Sequence, residues 1–233
     1  MAKFYNNRVK TGKLAGSVFS VRFGETIERA YQPIVANPNT PAQVANRAKM
    51  KLASQLSAVM GPYIAMPRKG AVSTRNMFVK NNYQNISYNS DEAQVDLANI
   101  HLTNSNTALS TLSAVRGEGV ININVETGTD GINRVVYVAF VVQTDGRLRF
   151  FDQKVVTTAG ENGNWPSTMR LTSQELVVYA YGVRDNTEAA RVAFGNMTVP
   201  AADAIAKLLV TSNLLESDVT LTETRYAHVA AEV

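Results

Sequence analysis

The chain has 233 residues, no cysteine and a net charge of +4 at pH 7, and 45% of its residues are hydrophobic. This composition allows one large domain or a domain with an extension, and the lack of cysteine excludes disulfides, thiolate catalysis and cysteine metal ligands. No uninterrupted apolar run approaches about 20 residues, and no apolar segment follows the basic N-terminal residues. We therefore expect neither a membrane span nor a secretion signal.

Charge is distributed unevenly along the chain. Residues 1–90 contain 13 Lys and Arg against 2 Asp and Glu, a net charge of +11, whereas residues 91–233 contain 10 against 17, a net charge of −7. Such an asymmetry indicates that the first part contacts nucleic acid or an acidic protein surface. We expect this contact with an anionic partner or neighbouring subunit to use Arg22, Arg29, Arg47, Lys49, Lys51, Arg68, Lys69 and Arg75.

Residues 16–35 predict a short β-ribbon. Polar and apolar residues alternate on both sides of residues 23–26, which read FGET. Because a two-stranded ribbon is marginally stable by itself, we expect it to lie on the main domain or on a partner.

A helix is predicted over residues 41–60. Asn39 and Thr40 are candidate N-caps, Pro41 fits the first helical position, and Gln43 is spaced for a capping box. Apolar residues then recur at spacings of three and four until a Gly-Pro pair ends the run. Every charged side chain of this helix is positive, and no carboxylate within it is available as a partner.

A second, shorter basic helix is predicted over residues 73–83. The segment NNYQNISYNSD, residues 81–91, is the most linker-like stretch of the chain. We therefore predict two parts, a basic N-terminal arm of ribbon and helices over residues 1–90 and a β-sandwich domain over residues 91–233.

The pattern beyond residue 91 is typical of an antiparallel β-sandwich. The Asp145-Gly146 pair is the strongest hairpin signal, and the apolar run of residues 135–142 is typical of a strand in a sandwich core. One inserted helix is predicted over residues 199–212. Strands are predicted over residues 94–102, 120–125, 135–142, 147–151, 176–181 and 219–229.

No catalytic, cofactor or metal site is predicted. The two histidines, His101 and His228, are far apart in sequence and both fall in predicted strands. No nucleophile-elbow serine, phosphate-binding loop or calcium loop has the spacing or the context that its chemistry requires. We therefore expect a protein that is not an enzyme and has no small-molecule substrate.

Nucleic-acid binding is an alternative for the basic region. Its lysines and arginines are interleaved with aromatic residues that could stack on bases. The other interpretation is that these aromatic residues form the core of the ribbon and helices. They are Phe4, Tyr5, Phe19, Phe23, Tyr31 and Tyr63.

The N-terminal motifs resemble an uncharacterised protein family of Bacteroidota and their phages. They read GSVFSVRF, ERAYQPIV, NPNTPAQ and the Arg47-x-Lys49 helix, and the C-terminal segment TETRYAHV is similar to the family's closing strand. The chain departs from the family at Glu25 in the ribbon turn and in the inserted helix of residues 199–212. The resemblance implies an immunoglobulin-like sandwich and a phage setting, and it supplies no catalytic residues.

Together these features predict a non-enzymatic structural component of a phage virion, in the capsid or the tail. The protein would be assembled in the host cytoplasm and would contact other virion proteins and copies of itself through residues 1–90. Opposite charges in the two parts of the chain would favour head-to-tail contacts. The alternative is a genome-facing, nucleic-acid-binding capsid protein. A cell-surface adhesive domain is disfavoured, since no secretion signal is recognised.

Overall fold

The structure is a computed structural model, and it describes residues 3–5, 9–14, 16–22, 25–31, 39–67, 70, 72–117, 120–125, 132–157, 165–166, 174–195 and 214–231. Within these ranges the fold is mainly β and its strands pair antiparallel, as predicted. The immunoglobulin-like topology stays a prediction. The chain forms two compact units, residues 1–44 and residues 45–233. The helix predicted over residues 199–212 lies outside the described residues.

The first unit contains a four-stranded antiparallel sheet in which each strand pairs with the next along the chain. Its strands are β1 (Lys3–Tyr5), β2 (Val9–Leu14), β3 (Ser17–Arg22) and β4 (Glu25–Ala30). The predicted ribbon is the β3–β4 hairpin, in which Ser20 lies opposite Ile27. The prediction omitted β1 and β2, so the ribbon is half of a larger sheet.

The first helix, α1 (Pro41–Met60), has the predicted bounds. Thr40 is the N-cap of α1. Its carbonyl oxygen accepts from Val44 N at 3.0 Å, and its hydroxyl oxygen accepts from Gln43 N at 3.4 Å. The reciprocal half of a capping box is absent, because Gln43 Oε1 has no hydrogen-bond partner. A second helix, α2 (Thr74–Asn82), starts at Ser73, whose hydroxyl accepts from Asn76 N.

The other elements of the second unit follow in chain order. They are β5 (Ile86–Asn89), β6 (Glu92–Val95), β7 (Leu112–Gly117), β8 (Val120–Val125), β9 (Arg134–Val142), β10 (Leu148–Thr157), β11 (Trp165–Pro166), β12 (Glu175–Asp185), α3 (Glu188–Gly195), β13 (Val219–Leu221) and β14 (Arg225–Val229).

The second unit is built around a five-stranded sheet in the order β10-β9-β12-β13, with β14 also pairing with β12. Gly146, with φ of 75°, closes the predicted hairpin between β9 and β10. The remaining strands form a hairpin of β5 and β6 and a small sheet in the order β11-β8-β7.

The central sheet is covered on both faces, and this explains the unbroken apolar run in β9. Alternate residues such as Val135 and Tyr137 face the β7–β8 layer, in a core with Ile121 and Ile123. The residues between them, including Val136 and Phe140, face a second core that contains α1 and α2. The second unit therefore has three layers: helices, a central sheet and a small sheet.

The hydrophobic core crosses the boundary that the sequence suggested at residue 90. Leu56 and Met60 of α1 and Phe78 of α2 are buried with Phe140 and Tyr179 of the central sheet. Buried Asn82 also joins α2 to the segment around His101. Its side chain accepts from the backbone N–H of His101 and donates to the carbonyl oxygen of the same residue. The compact unit accordingly starts at residue 45, so the helices of the predicted arm belong to the domain.

Two predicted strands are interrupted where polar side chains accept hydrogen bonds from backbone N–H groups. Asp96 Oδ1 accepts from Ala98 N at 3.1 Å, so the strand predicted over residues 94–102 gives way to a 3-10 turn, and His101 lies outside any strand. The strand predicted over residues 219–229 divides into β13 and β14. Between them, Thr224 Oγ1 accepts from Leu102 N at 2.8 Å.

Candidate assembly surface

The sheet of the first unit has no buried face among its described residues. None of the side chains described in residues 1–44 is buried. Exposed apolar side chains lie on both faces. Ile27 (43% exposed) lies opposite Ser20, and Val21 (38% exposed) is the next residue of β3 after Ser20. Because successive residues of a strand point to opposite faces, Val21 and Ile27 lie on opposite faces of the sheet. A sheet is normally stabilised by burying at least one apolar face, and the side chains that the structure describes in this sheet lack that burial.

Positive charge accompanies these apolar side chains. Arg29 is exposed on β4 opposite Val18, on the same face as Ile27. The ammonium group of Lys13 lies 3.3 Å from the centroid of the Tyr31 ring, a cation–π contact. Arg22 is the last residue of β3, and the structure describes its backbone but not its side chain. Of the predicted contact residues, Arg68 and Lys69 lie outside the described residues.

The basic residues of α1 lie on the part of the helix that carries no buried side chain. The buried positions of α1 are Ala53, Leu56, Ser57 and Met60, all in its C-terminal half. Arg47 and Lys51 are exposed and both precede Ala53, the first of these buried positions. The helix is therefore anchored at its C-terminal end and presents a basic surface at the other.

Lys49 has an intramolecular partner that the sequence did not indicate. Its ammonium group lies 4.6 Å from the centroid of the Tyr83 ring, just after α2. The Tyr83 hydroxyl donates to Asn46 Oδ1 at 3.0 Å, so the ring lies against one face of α1. Lys49 thus helps to hold the two helical segments together.

Arg75 also acts inside the protein. Its Nε donates to Ser57 Oγ at 3.2 Å and its Nη2 donates to Ser54 Oγ, so the guanidinium group joins α2 to α1. Sequence reasoning placed Arg75 among the residues that contact a partner. It could not foresee the two serine contacts, because the serines are about 20 residues away in sequence and only tertiary packing brings them close. The geometry supports a structural role for this side chain.

Basic and acidic segments belong to the same compact unit. Residues 45–90 contain seven Lys and Arg and no Asp or Glu, a net charge of +7. The described ion pairs, Arg134–Asp185, Arg147–Asp145, Arg191–Glu188, Arg225–Glu223 and His228–Glu175, all join residues beyond 91. Lys51 and Lys80 take part in none of them. Their charges therefore remain directed at solvent or at a partner.

One aromatic residue proposed for base stacking belongs to the core. Tyr63 is 5% exposed and stacks on Phe150 with ring centroids 4.4 Å apart. It also contacts Phe140 edge-on. Burial raises the pKa of the Tyr63 hydroxyl, with a smaller contribution from Asp152. Phe19 is half-buried and Tyr31 is engaged by Lys13, so the described aromatic residues form no open stacking platform.

The strongest candidate for chemistry elsewhere is a cleft at the ends of β9 and β12. It has a volume of about 500 Å³ and is lined by Gln143, Thr144, Arg149, Gln174 and Glu175 among others. His228 Nε2 lies 2.6 Å from Glu175 Oε1 beside it. Both side chains are over 40% exposed, and no serine lies among the described lining residues. No described hydrogen bond joins this imidazole–carboxylate pair to the hydroxyl of Thr144, so the contact between base and nucleophile that covalent catalysis requires is not formed among the described residues.

The described residues contain neither a metal-ligand cluster nor a membrane-spanning helix. No three carboxylate or imidazole side chains are grouped there to hold a metal ion. No helix in the described part of the chain combines the length and apolar content that crossing a bilayer requires.

Buried Asp185 pairs with Arg134 at 3.5 Å and accepts from Asn133, which fixes the start of β9 against the end of β12.

Sequence reasoning identified the charges of this surface and expected the ribbon to bury an apolar face, but it did not identify which apolar side chains are exposed. Ile27 was one of several alternating residues in the ribbon, and alternation does not tell which face of a strand is covered. The alternation therefore marked Ile27 as one candidate among several, and only the tertiary structure shows that it is exposed. Comparison with protein-family models, curated proteins and solved structures finds no match for this chain.

Proposed function

We propose that the protein is a non-enzymatic structural component of a phage virion, located in the assembled particle, that contacts neighbouring subunits through its basic N-terminal region. The phage setting rests on the resemblance of the N-terminal motifs to a phage and Bacteroidota family. The observation that carries the assembly role is the sheet of residues 1–44, whose described side chains include none that is buried. Other virion proteins and copies of this chain are the proposed partners.

The physical argument is that this sheet gains apolar burial when a partner covers it. Val21, Ile27 and Tyr31 are each more than a third exposed. Burying apolar surface stabilises a contact by roughly 25 cal/mol per Å², and exposed apolar side chains on a small sheet mark an interaction surface. The second unit, in contrast, has its own layered core. The protein is thus suited to joining a self-supporting domain to neighbours through a separate sheet.

Deletion of the sheet tests this proposal. We expect the full chain to form large species in sedimentation velocity, and residues 45–233 to sediment as a folded monomer because that unit contains the core. Circular dichroism of the truncated protein controls for folding. Assembly that persists without residues 1–44, or a full chain that stays monomeric at all protein concentrations, would contradict the proposed role of the sheet.

Nucleic-acid binding remains the second candidate because residues 45–90 carry seven positive charges and no negative one. If the basic surface neutralises phosphates, binding of an oligonucleotide should weaken steeply as salt rises. Lys51→Glu should then weaken binding, whereas Arg75→Ala should affect it less, since Arg75 bonds to two serines. Large species that resist nuclease and show no salt-dependent oligonucleotide binding would favour protein assembly.

A further inference from the structure

Arg29 lies between two exposed apolar side chains on one face of the N-terminal sheet. Ile27 (43% exposed) and Tyr31 (38% exposed) are each two residues away from it, and alternate residues of a strand share a face. Tyr31 follows β4 but keeps its pairing, because its N–H donates to Gly16 O at 2.7 Å. The ammonium group of Lys13, which lies on the same face in the β2–β3–β4 register, contacts the Tyr31 ring. This face therefore combines two cations with exposed apolar surface.

The guanidinium group of Arg29 has no partner among the described residues. Its side chain is exposed, and no described hydrogen bond, ion pair or ring contact involves it. A guanidinium group presents parallel N–H donors that match a carboxylate, and such a pair contributes most where apolar neighbours exclude water. Lys51, in contrast, lies between the exposed polar side chains of Arg47 and Gln55 on α1. The chemistry around Arg29 thus fits a carboxylate side chain of a protein partner.

Glu92 is the described carboxylate of the second unit that remains available. Five acidic residues beyond position 90 are paired with arginine or histidine side chains, and Asp152 and Glu216 have other interaction partners. The acidic residues that accept hydrogen bonds from neighbouring groups are Asp91, Asp96 and Asp218. Glu92 accepts no described hydrogen bond and joins no described ion pair.

Glu92 lies on the outer face of the β5–β6 hairpin. It lies opposite Asn89 and two residues before Gln94, and all three side chains are exposed, whereas Ile86 on the other face is fully buried. Residues 91–96 contain three acidic residues and no basic one. The hairpin therefore presents a carboxylate, flanked by amide groups, on an exposed face.

A second copy of this chain supplies the complementary charge. Residues 1–44 contain 6 Lys and Arg against 2 Asp and Glu, a net charge of +4, whereas the net charge of residues 91–233 is −7. Opposite charges on two surfaces steer their association and fix how they align.

We propose that Arg29 of one copy binds Glu92 of the next copy, so that the N-terminal sheet of each copy covers the β5–β6 hairpin of its neighbour. This inference rests on the proposed function, because it names the surface that the N-terminal sheet contacts. The contact joins two different surfaces, and repeated contacts of this kind build rings or filaments.

An exchange of charges tests the contact in the full chain. Arg29→Glu and Glu92→Arg each place like charges opposite each other, so each variant alone should assemble about tenfold more weakly in sedimentation velocity. In an equimolar mixture, every contact between unlike copies again joins opposite charges. We therefore expect large species to return in the mixture, and native mass spectrometry to show both variants in equal amounts within them.

Matched charge reversals elsewhere control for net charge. Glu188→Arg changes an exposed carboxylate of α3 that pairs with Arg191, and it should leave assembly unchanged. Lys51→Glu reverses an exposed cation of α1 and should also leave assembly unchanged. Circular dichroism of each variant checks that it is folded.

The apolar part of the contact has its own test. Ile27→Ser removes a side chain that the neighbouring hairpin covers, so assembly should weaken about tenfold. Val115→Ser is the matched control, because Val115 is 62% exposed on β7, outside the proposed contact. Equal loss of assembly in the two variants would contradict a contact at Ile27.

The outcomes separate this inference from the proposed function. Assembly that requires residues 1–44 but is unaffected by Arg29→Glu and Glu92→Arg, or is not restored by mixing them, overturns the Arg29–Glu92 contact and leaves the assembly role standing. Equal weakening by Lys51→Glu or Glu188→Arg also overturns it, because the effect then follows net charge. Large species that nuclease dissolves overturn it too, because nucleic acid then occupies the basic face. A full chain that is monomeric under every condition overturns both.

Discussion

Gly182 occupies the position of β12 where the neighbouring strand changes from β13 to β14. Its N–H donates to Thr222 Oγ1 at 2.7 Å, and its carbonyl oxygen accepts from Thr222 N. Thr222 is fully buried, so these bonds form where water is absent. A residue without a side chain is needed here because a Cβ atom would lie 2.8 Å from Ile132 Cγ2 and 3.0 Å from Thr222 Cγ2.

Gly182→Ala should therefore destabilise the second unit. We expect the free energy of unfolding in urea to fall by about 1–3 kcal/mol, since the Cβ atom would lie closer to Ile132 Cγ2 than carbon atoms tolerate and would crowd Thr222 Cγ2. Gly61→Ala is the matched control, because a Cβ atom there meets nothing within 4 Å. Equal stability of the two variants would show that the sheet around Gly182 shifts without cost.

At the scale of elements, α1 divides into two functional parts. The part from Ala53 onward is fixed by apolar burial and by Arg75, and the part before it carries the exposed charges of Arg47 and Lys51. The sequence pattern predicted the length of the helix but treated its positive residues as equivalent. Contacts with α2 and Tyr83 separate the structural residues from the exposed ones.

Arg75→Ala should lower stability without weakening assembly. Loss of the hydrogen bonds to Ser54 and Ser57 should reduce the free energy of unfolding by about 1 kcal/mol. Lys80→Ala serves as the control, because Lys80 is exposed on the same helix and forms no ion pair among the described residues. If Arg75→Ala dissolves the large species while stability is unchanged, the residue meets a partner instead.

At the scale of the whole molecule, several tyrosines link stability to alkaline pH. Burial raises the pKa of Tyr179 and Tyr181 well above the ordinary value of 10.0, and it raises that of Tyr137 by less. The pKa of Tyr226 is raised by burial and by the charges of Glu175 and Asp96. A tyrosine with a raised folded-state pKa contributes stability that is complete below the unfolded-state pKa of about 10, and that stability is lost as pH rises from there through the folded-state pKa.

We therefore expect the free energy of unfolding to be steady between pH 8 and 9 with respect to these groups and to fall above about pH 10. Urea unfolding at a series of pH values measures this. In Tyr181→Phe the fall should be shallower, because one of the linked hydroxyls, which donates to the Tyr63 carbonyl oxygen at 3.3 Å, is gone. Stability that rises through this range would contradict the assignment.

Local signals predicted the single elements well. The proline, capping and periodicity signals give α1 its bounds, and the Asp145-Gly146 turn gives the β9–β10 hairpin. Predictions were wrong where side chains compete for backbone hydrogen bonds, through a local contact at Asp96 and through a contact between distant residues at Thr224. The β1 and β2 strands were missed because their short sequences carry no clear alternation.

The sequence by itself determined the mainly β, antiparallel class and the unequal distribution of charge, because both follow from residue order and composition. Only the tertiary structure decided where the units divide, which charges are used inside the protein, and that the N-terminal sheet lacks burial among its described residues. The physical reason is that burial depends on residues far apart in the chain. Leu56, Phe140 and Tyr179 share one core, although nothing in their local sequence pairs them.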